Sequence, residues 1–136
     1  IGWAYRVANT LGCGFLEKVY ENALAHDLLK AGLKVGQQRA IPVMYDGIVV
    51  GDYVADLIAH EQVIVEVKAC KAFDDVHAAQ CLNYLKATGL KVCLLINFGT
   101  PKVQIKRVVL GLEESGSTRV DAVKALHHSV SNLDTM

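Results

Sequence analysis

The chain has 136 residues, and its 14 basic side chains balance its 14 acidic ones. This length predicts one domain whose core is large enough to fold without disulfide bonds. The 52% hydrophobic content, with only two prolines, excludes a disordered chain. No apolar run approaches the roughly 18–20 residues of a membrane span, so we expect no membrane partner.

Hydrophobic periodicity predicts helices first and then a mixture of strands and helices. Apolar residues recur at helical spacing over residues 3–11 and 16–28, with Gly32 as a stop. Further runs predict strands 40–45, 48–59 and 63–69, helix 75–88, strands 91–97 and 103–109, and a last helix at 118–130. Asp46-Gly47 is a hairpin signal. An antiparallel meander that feeds a helical crossover predicts an α/β fold around a mixed sheet.

The cysteines and the first residues predict the compartment. Cys13, Cys70, Cys81 and Cys93 show no CxxC spacing, which argues against structural zinc. Residues 1–6 lack the basic and apolar regions of a secretory signal. We therefore expect a cytoplasmic protein with reduced thiols.

Positive charge is concentrated in the middle of the chain. Residues 76–112 contain no Asp or Glu and carry five basic side chains, Lys86, Lys91, Lys102, Lys106 and Arg107. Two interpretations are open. They are solvated side chains on helix and strand edges, or they form a patch for a polyanion such as a phosphodiester backbone.

Two carboxylates and a lysine lie in strands that are otherwise apolar, where an unpaired buried charge is costly. Asp56 lies in the second predicted strand, and Glu66 and Lys68 share one face of the third. If a three-residue loop follows Ala59, then Ala59 lies opposite Val63 and Asp56 faces Glu66. A two-residue loop would put Asp56 on the other face.

Such a group suits either metal chemistry or a structural ion pair. Two carboxylates a few ångströms apart repel each other, and a divalent cation relieves the repulsion. Carboxylate oxygens suit Mg²⁺ or Mn²⁺, and a nearby lysine can orient water and stabilise charge on a scissile phosphate. The alternative is an ion pair of Lys68 with Asp56 or Glu66 at a sheet margin.

Polar residues on two helices are further candidates. His77, Gln80 and Tyr84 form one stripe of the helix at 75–88. Glu17 lies beside the apolar stripe of the helix at 16–28. Each feature taken alone is typical of a solvated helix face.

Together these residues resemble a nuclease signature. Asp56 followed by Glu66-Val67-Lys68 at the end of an apolar strand resembles the PD-(D/E)XK motif. The segment Gln80-Cys81-Leu82-Asn83-Tyr84 resembles the QxxxY motif of the RecB-like branch. Gly14-Phe15-Leu16-Glu17-Lys18-Val19-Tyr20 matches GxxExxY, and residues 2–110 resemble the GxxExxY protein family, a small group related to those nucleases.

The resemblance implies a fold and a set of roles. It implies a restriction-endonuclease-like domain over residues 1–110, with α-β-β-β-α-β order and helices on both faces of the sheet, followed by a C-terminal extension at 111–136. The implied metal ligands are Asp56, Glu66, the Val67 carbonyl and Glu17. The implied catalytic residues are Lys68, Asp56 and Glu66. Residues that would support the site or contact substrate are Gln80, Tyr84, His77 and Lys86.

The function favoured on these grounds is a Mg²⁺- or Mn²⁺-dependent nuclease that acts on DNA. The presence of Glu17, Asp56, Glu66 and Lys68 together favours an enzyme. The small size favours action as a homodimer or with a protein partner. Two alternatives remain: a catalytically silent nuclease-fold module that binds nucleic acid or a protein, and a phosphodiesterase-like enzyme with a small substrate.

Overall fold

The computed structural model describes residues 1–110, so the predicted extension at 111–136 and its helix at 118–130 lie outside the described residues. The elements are α1 (Gly2–Leu11), α2 (Glu17–Lys30), β1 (Val35–Tyr45), β2 (Ile48–Ala59), β3 (Val63–Lys68), α3 (Asp75–Thr88), β4 (Val92–Asn97) and β5 (Gln104–Val109). The predicted order of elements is confirmed over these residues. Within residues 1–110, no helix is both long and apolar enough to cross a membrane.

The five strands form one mixed sheet in the order β1-β2-β3-β4-β5. Strands β3 and β4 are parallel because α3 carries the chain from one to the other, and the other neighbouring pairs are antiparallel. The β1–β2 hairpin turns at Asp46-Gly47, where both residues have positive φ, as a two-residue type I′ turn requires.

Helices cover both faces of the sheet, and the side chains of β3 and β4 divide between two cores. Val63, Val65 and Val67 pack with buried residues of α1 and α2 in one cluster. Ile64 packs in the other cluster with buried residues of α3. This division explains why the two central strands are apolar at almost every position. The α/β fold with a mixed sheet and helices on both faces is confirmed.

Strands β2 and β3 separate soon after the loop that joins them. The predicted register is confirmed: Ala59 pairs with Val63, and the paired ladder ends at Leu57 and Val65. Pairing between β1 and β2 continues to the turn, so the hairpin extends beyond β3 as a two-stranded ribbon. We call the place where β2 leaves β3 the fork.

Candidate active site

Asp56 and Glu66 lie on opposite sides of the fork, and each carboxylate bonds to the backbone of the other strand. Glu66 Oε1 accepts a hydrogen bond from the Asp56 amide at 3.0 Å. Asp56 Oδ2 accepts one from the Val67 amide at 2.8 Å. Because the register of the loop sets this approach, a loop shorter by one residue would separate the two acids.

Burial disfavours the charged form of both acids, and a neighbouring carboxylate adds to the effect in each case. The Glu66 side chain belongs to a residue only 3% exposed. Its burial, followed by the charge of Asp56, raises the pKa of Glu66 from 4.5 to about 8. Burial also raises the pKa of Asp56, against the opposing effect of the Val67 hydrogen bond. Without a cation, Glu66 therefore keeps its proton at neutral pH, and a cation bound between the two acids would favour the loss of that proton.

Lys68 supplies positive charge beside the two acids. It is the last residue of β3 and is half-buried. Its charge partly offsets the rise in the pKa of both Asp56 and Glu66. No hydrogen bond or ion pair holds its ammonium group among residues 1–110. The structural alternative of a Lys68–carboxylate ion pair is therefore not seen, and the ammonium group is available to a ligand.

The segment after Lys68 is held firmly by the end of β4. Asn97 is fully buried and makes four hydrogen bonds, two of them to the Cys70 amide and carbonyl at 3.0 and 2.9 Å. The Lys68 carbonyl also accepts a hydrogen bond from the Phe98 amide at 2.8 Å. Gly99 packs so closely on Cys70 that a side chain there would collide with its backbone. These contacts fix the direction in which the chain leaves β3.

Glu17, the predicted acid of the helix at 16–28, makes no contact with Asp56 or Glu66 among residues 1–110, and its role as a metal ligand stays a prediction. Glu17 is exposed and makes no hydrogen bond or ion pair within residues 1–110. The buried acid of α2 is Glu21, one turn further along, at 3% exposure. Its charge contributes to the raised pKa of Asp56. Periodicity alone does not separate the two acids, since Glu17 and Glu21 both lie at helical spacing from Leu24 and Leu28.

Glu21 is joined to Asp56 through a glutamine of β1. The Gln38 Nε2 atom donates to Glu21 Oε1 at 2.9 Å and to Asp56 Oδ1 at 3.2 Å. Gln38 has a φ of 53°, which is uncommon for a residue with a side chain. Gln37 and Lys18 also donate to the Glu21 carboxylate. Sequence reasoning missed Gln38, because nothing in the pattern of β1 marks it.

The tyrosine of the GxxExxY segment serves the fold. Tyr20 is fully buried. Its hydroxyl group donates a hydrogen bond to the Gly12 carbonyl at 2.6 Å and accepts one from the Phe15 amide at 3.1 Å. Its ring stacks on Phe98 with the centroids 4.7 Å apart. The motif thus fixes the loop before α2 and, through Phe98, the end of β4.

The four predicted positions on α3 differ in their surroundings. Tyr84 is buried near the acids, whose charges add to the effect of burial in raising its pKa. Gln80 is half-buried one turn before it. His77 caps the helix: its Nδ1 accepts from the Asp74 amide at 3.1 Å in a capping box, so its ring serves the helix end. Lys86 is exposed and borders a cleft described below.

The basic block of the sequence does not form one surface. Lys106 pairs with Leu95, whose side chain lies in the α3 core, and Arg107 pairs with Leu94, which lies in the core of α1 and α2. Opposite residues of an antiparallel pair share a face, so these two cations point to opposite sides of the sheet. Burial lowers the pKa of Arg107, which is half-buried.

The donor set at the fork suits a hard cation but is small. Asp56 and Glu66 offer carboxylate oxygens, and a bound cation would lower their raised pKa values by stabilising the charged forms. Among residues 1–110, no group of three or more His, Cys, Asp or Glu side chains is arranged to hold a metal ion. The remaining ligands would therefore be backbone oxygens, for which Val67 stays the predicted donor, or water.

Comparison with known proteins identifies the class. A family model described as the PD-(D/E)XK nuclease superfamily matches residues 1–108, and the chain belongs to that superfamily. No curated protein matches the chain in sequence.

Solved structures with a similar course of the chain are distant in sequence. Two are of an alkaline exonuclease (LHK-Exo) from Laribacter hongkongensis, one of them in complex with dAMP, with identities of 11% and 12% and TM-scores of 0.43 and 0.48. The matches cover 97% of this chain in each case and 89% and 87% of the exonuclease chains. The structure of SSO0001 has 14% identity and a TM-score of 0.45, over 92% of this chain and 70% of the other.

Proposed function

We propose that this protein is a metal-dependent phosphodiester hydrolase that cuts DNA. The observation that carries the proposal is the arrangement at the fork, in a chain of the PD-(D/E)XK nuclease superfamily. Asp56 and Glu66 hold their carboxylates together, and the ammonium group of Lys68 beside them has no partner within residues 1–110. We further propose that the chain belongs to the GxxExxY group and to the RecB-like branch, on the motifs at residues 14–20 and 80–84.

In this proposal Asp56 and Glu66 hold Mg²⁺ or Mn²⁺, with the Val67 carbonyl as a further ligand. A bound divalent ion supplies an activated water and stabilises negative charge on the phosphate. Lys68 contributes a second positive charge on the same side of the fork and orients the attacking water or the phosphate oxygens. Glu21, through Gln38, holds Asp56 in place from α2.

Lys68 separates this proposal from a catalytically silent module. Hydrolysis needs a charge that is free to meet the substrate, and the Lys68 ammonium group makes no hydrogen bond or ion pair within residues 1–110. A silent module that binds DNA or a protein is the second candidate, favoured by the exposed apolar side chains of the hairpin, Met44, Tyr45, Ile48, Val49, Val50, Tyr53 and Val54. The same exposed side chains make a homodimer or a protein partner part of this candidate.

The test is a digest of single- and double-stranded DNA by the purified protein with Mg²⁺, Mn²⁺ or EDTA. We expect cleavage with metal and none with EDTA. Lys68→Ala and Lys68→Met should lose about 10²–10³-fold in rate, as for other preorganised charge-stabilising groups. Lys71→Ala is the matched control, because Lys71 is an exposed lysine just beyond the site.

Three outcomes decide between the candidates. Loss of cleavage in the Lys68 variants with normal rates in Lys71→Ala supports the hydrolase. Binding of DNA without metal-dependent cleavage by the unmodified protein supports the silent module. Equal cleavage by Lys68→Ala and the unmodified protein contradicts the proposed mechanism.

A further inference from the structure

We propose that the cleft between the β1–β2 hairpin and α3 binds a nucleotide of single-stranded DNA next to the fork. The inference rests on the proposed function, because it names the form of DNA that the site would receive. It assigns a role to a part of the surface that the hydrolytic residues leave unused.

The cleft has a volume of about 430 Å³. Val43, Met44 and Tyr53 of the hairpin form one wall, and Asn83, Lys86 and Ala87 of α3 form the other. These helix residues lie three and four positions apart, so they share one face of α3. The volume falls within the usual range for small-molecule sites, which is about 300–1,000 Å³.

The lining groups match the parts of a nucleotide. The Tyr53 ring is 40% exposed and offers a flat apolar surface on which a base can stack. The Asn83 amide has both a donor and an acceptor for a base edge, and the Lys86 ammonium group suits a phosphate. Among residues 1–110, no carboxylate lines the cleft, so the charge of Lys86 is not neutralised by the hairpin wall.

The cleft is connected to the acids by two packed rings. Tyr53 and Tyr84 meet edge to face with their centroids 5.5 Å apart. Tyr84 in turn lies within electrostatic reach of Glu66 and Asp56. Tyr53 precedes Asp56 by three residues, which is about 10 Å along a strand. That distance corresponds to about three stacked nucleotides at roughly 3.4 Å each.

Beside the cleft, the hairpin lacks a side chain at one position. Gly51 pairs with Val43 and lies two residues from Tyr53, so these three positions face the same side of the hairpin. A Cβ atom at Gly51 would meet no atom within 4 Å. A larger side chain at this position would meet no atom that forces a shift, and on this side of the hairpin it would extend beside Tyr53, where the base is proposed to stack.

Single-stranded DNA fits the cleft better than an added peptide strand does. A peptide that extends the sheet would run along a free strand edge, such as that of β1 or of β2 beyond the fork, whereas the cleft lies between the hairpin and a helix. The combination of an aromatic ring, an amide and a cation provides stacking, base contact and phosphate contact in one place. A duplex would keep its bases stacked on one another and away from Tyr53.

The experiment measures binding of a short fluorescein-labelled oligothymidylate by anisotropy, in EDTA so that no metal-dependent cleavage occurs. Tyr53→Ala and Gly51→Leu should each weaken binding about 10- to 100-fold, because stacking of a base is lost or blocked. Tyr53→Phe keeps the ring and should bind the oligonucleotide with an affinity close to that of the unmodified protein. Tyr45→Ala is the matched control, since Tyr45 is an exposed hairpin tyrosine outside the cleft lining.

A second measurement tests the phosphate contact. Lys86→Ala should reduce the salt dependence of single-strand binding by about one phosphate contact, whereas Lys91→Ala, outside the cleft lining, should not. Unchanged affinity in both Tyr53→Ala and Gly51→Leu overturns the proposal, as does an equal loss in Tyr45→Ala. A change of oligomeric state in Tyr53→Ala, with DNA affinity unchanged, would assign the cleft to a protein contact instead. Because binding is measured without cleavage, failure here is distinguishable from failure of the hydrolase proposal.

Discussion

Replacing Glu66 with glutamine tests whether the buried carboxyl group of Glu66 keeps its proton in the folded protein. Glutamine keeps the shape of the side chain and an oxygen that can accept from the Asp56 amide, but it cannot ionise. In the metal-free protein the carboxyl of Glu66 has a pKa of about 8, compared with 4.5 when it is unperturbed. The folded state therefore holds this proton over a pH range in which the unfolded chain has released it.

The sign of the pH dependence follows from that difference. Between about pH 4.5 and 8 the folded state binds more protons at Glu66 than the unfolded state, so its contribution to stability falls as pH rises. The contribution is fully present below pH 4.5 and is lost above about pH 8. Each pH unit is worth about 1.4 kcal/mol, so the whole loss is about 2–5 kcal/mol, with relaxation of the site setting the lower value.

The assay is urea unfolding followed by circular dichroism in EDTA at several pH values from 5 to about 8.5. We expect the free energy of unfolding of Glu66→Gln to fall less with pH than that of the unmodified protein, so that the variant is relatively more stable at the alkaline end. Added Mn²⁺ should stabilise only the unmodified protein. Parallel pH profiles for the two proteins in EDTA would refute the account of a buried, repelled carboxyl.

Three further results are expected. Asp56→Asn should abolish the stabilisation by Mn²⁺, which for the unmodified protein is about 2.7 kcal/mol at a hundredfold excess over Kd; thermal melts with and without metal measure it. Glu21→Ala should lower the free energy of unfolding by about 1–3 kcal/mol, because Lys18, Gln37 and Gln38 lose a shared, buried acceptor, while Glu17→Ala should stay within about 0.5 kcal/mol; equal effects would contradict the placement of the two acids. Asn97→Ala should cost about 2–4 kcal/mol and speed hydrogen exchange at the Cys70 amide, as mass spectrometry of exchanged peptides can show; unchanged exchange would contradict the clamp.

Much of the fold and the approach of the two acids could be predicted because side chains alternate between the two faces of a strand. The number of residues in a loop then decides which side chains of the two strands share a face. The three-residue loop after Ala59 decides which residues of β2 and β3 face each other, and that count can be read from the sequence. The apolar runs of β3 and β4 likewise indicate strands covered on both faces. These features depend on local spacing, so they needed no knowledge of distant contacts.

Other parts of the site depend on contacts between distant segments. The choice between Glu17 and Glu21 turns on the angle at which α2 crosses the sheet, which the spacing of one helix does not define. Gln38 bridges two acids because of an unusual backbone conformation that its sequence does not signal. The basic block left two interpretations open for a different reason: linear clustering of charge does not show which face of a strand each cation takes.

The hydrogen bonds across the fork bear on how active and inactive relatives of this chain should be told apart. Each acid replaces a bond that the ladder between β2 and β3 no longer makes, so Asp56 and Glu66 serve the architecture whether or not the protein hydrolyses anything. In a relative without hydrolytic activity, an acceptor at both positions would still stabilise the fold. The Lys68 side chain has no such structural role, because its ammonium group makes no hydrogen bond or ion pair within residues 1–110. In a relative without hydrolytic activity, we therefore expect Lys68 to be replaced before Asp56 or Glu66.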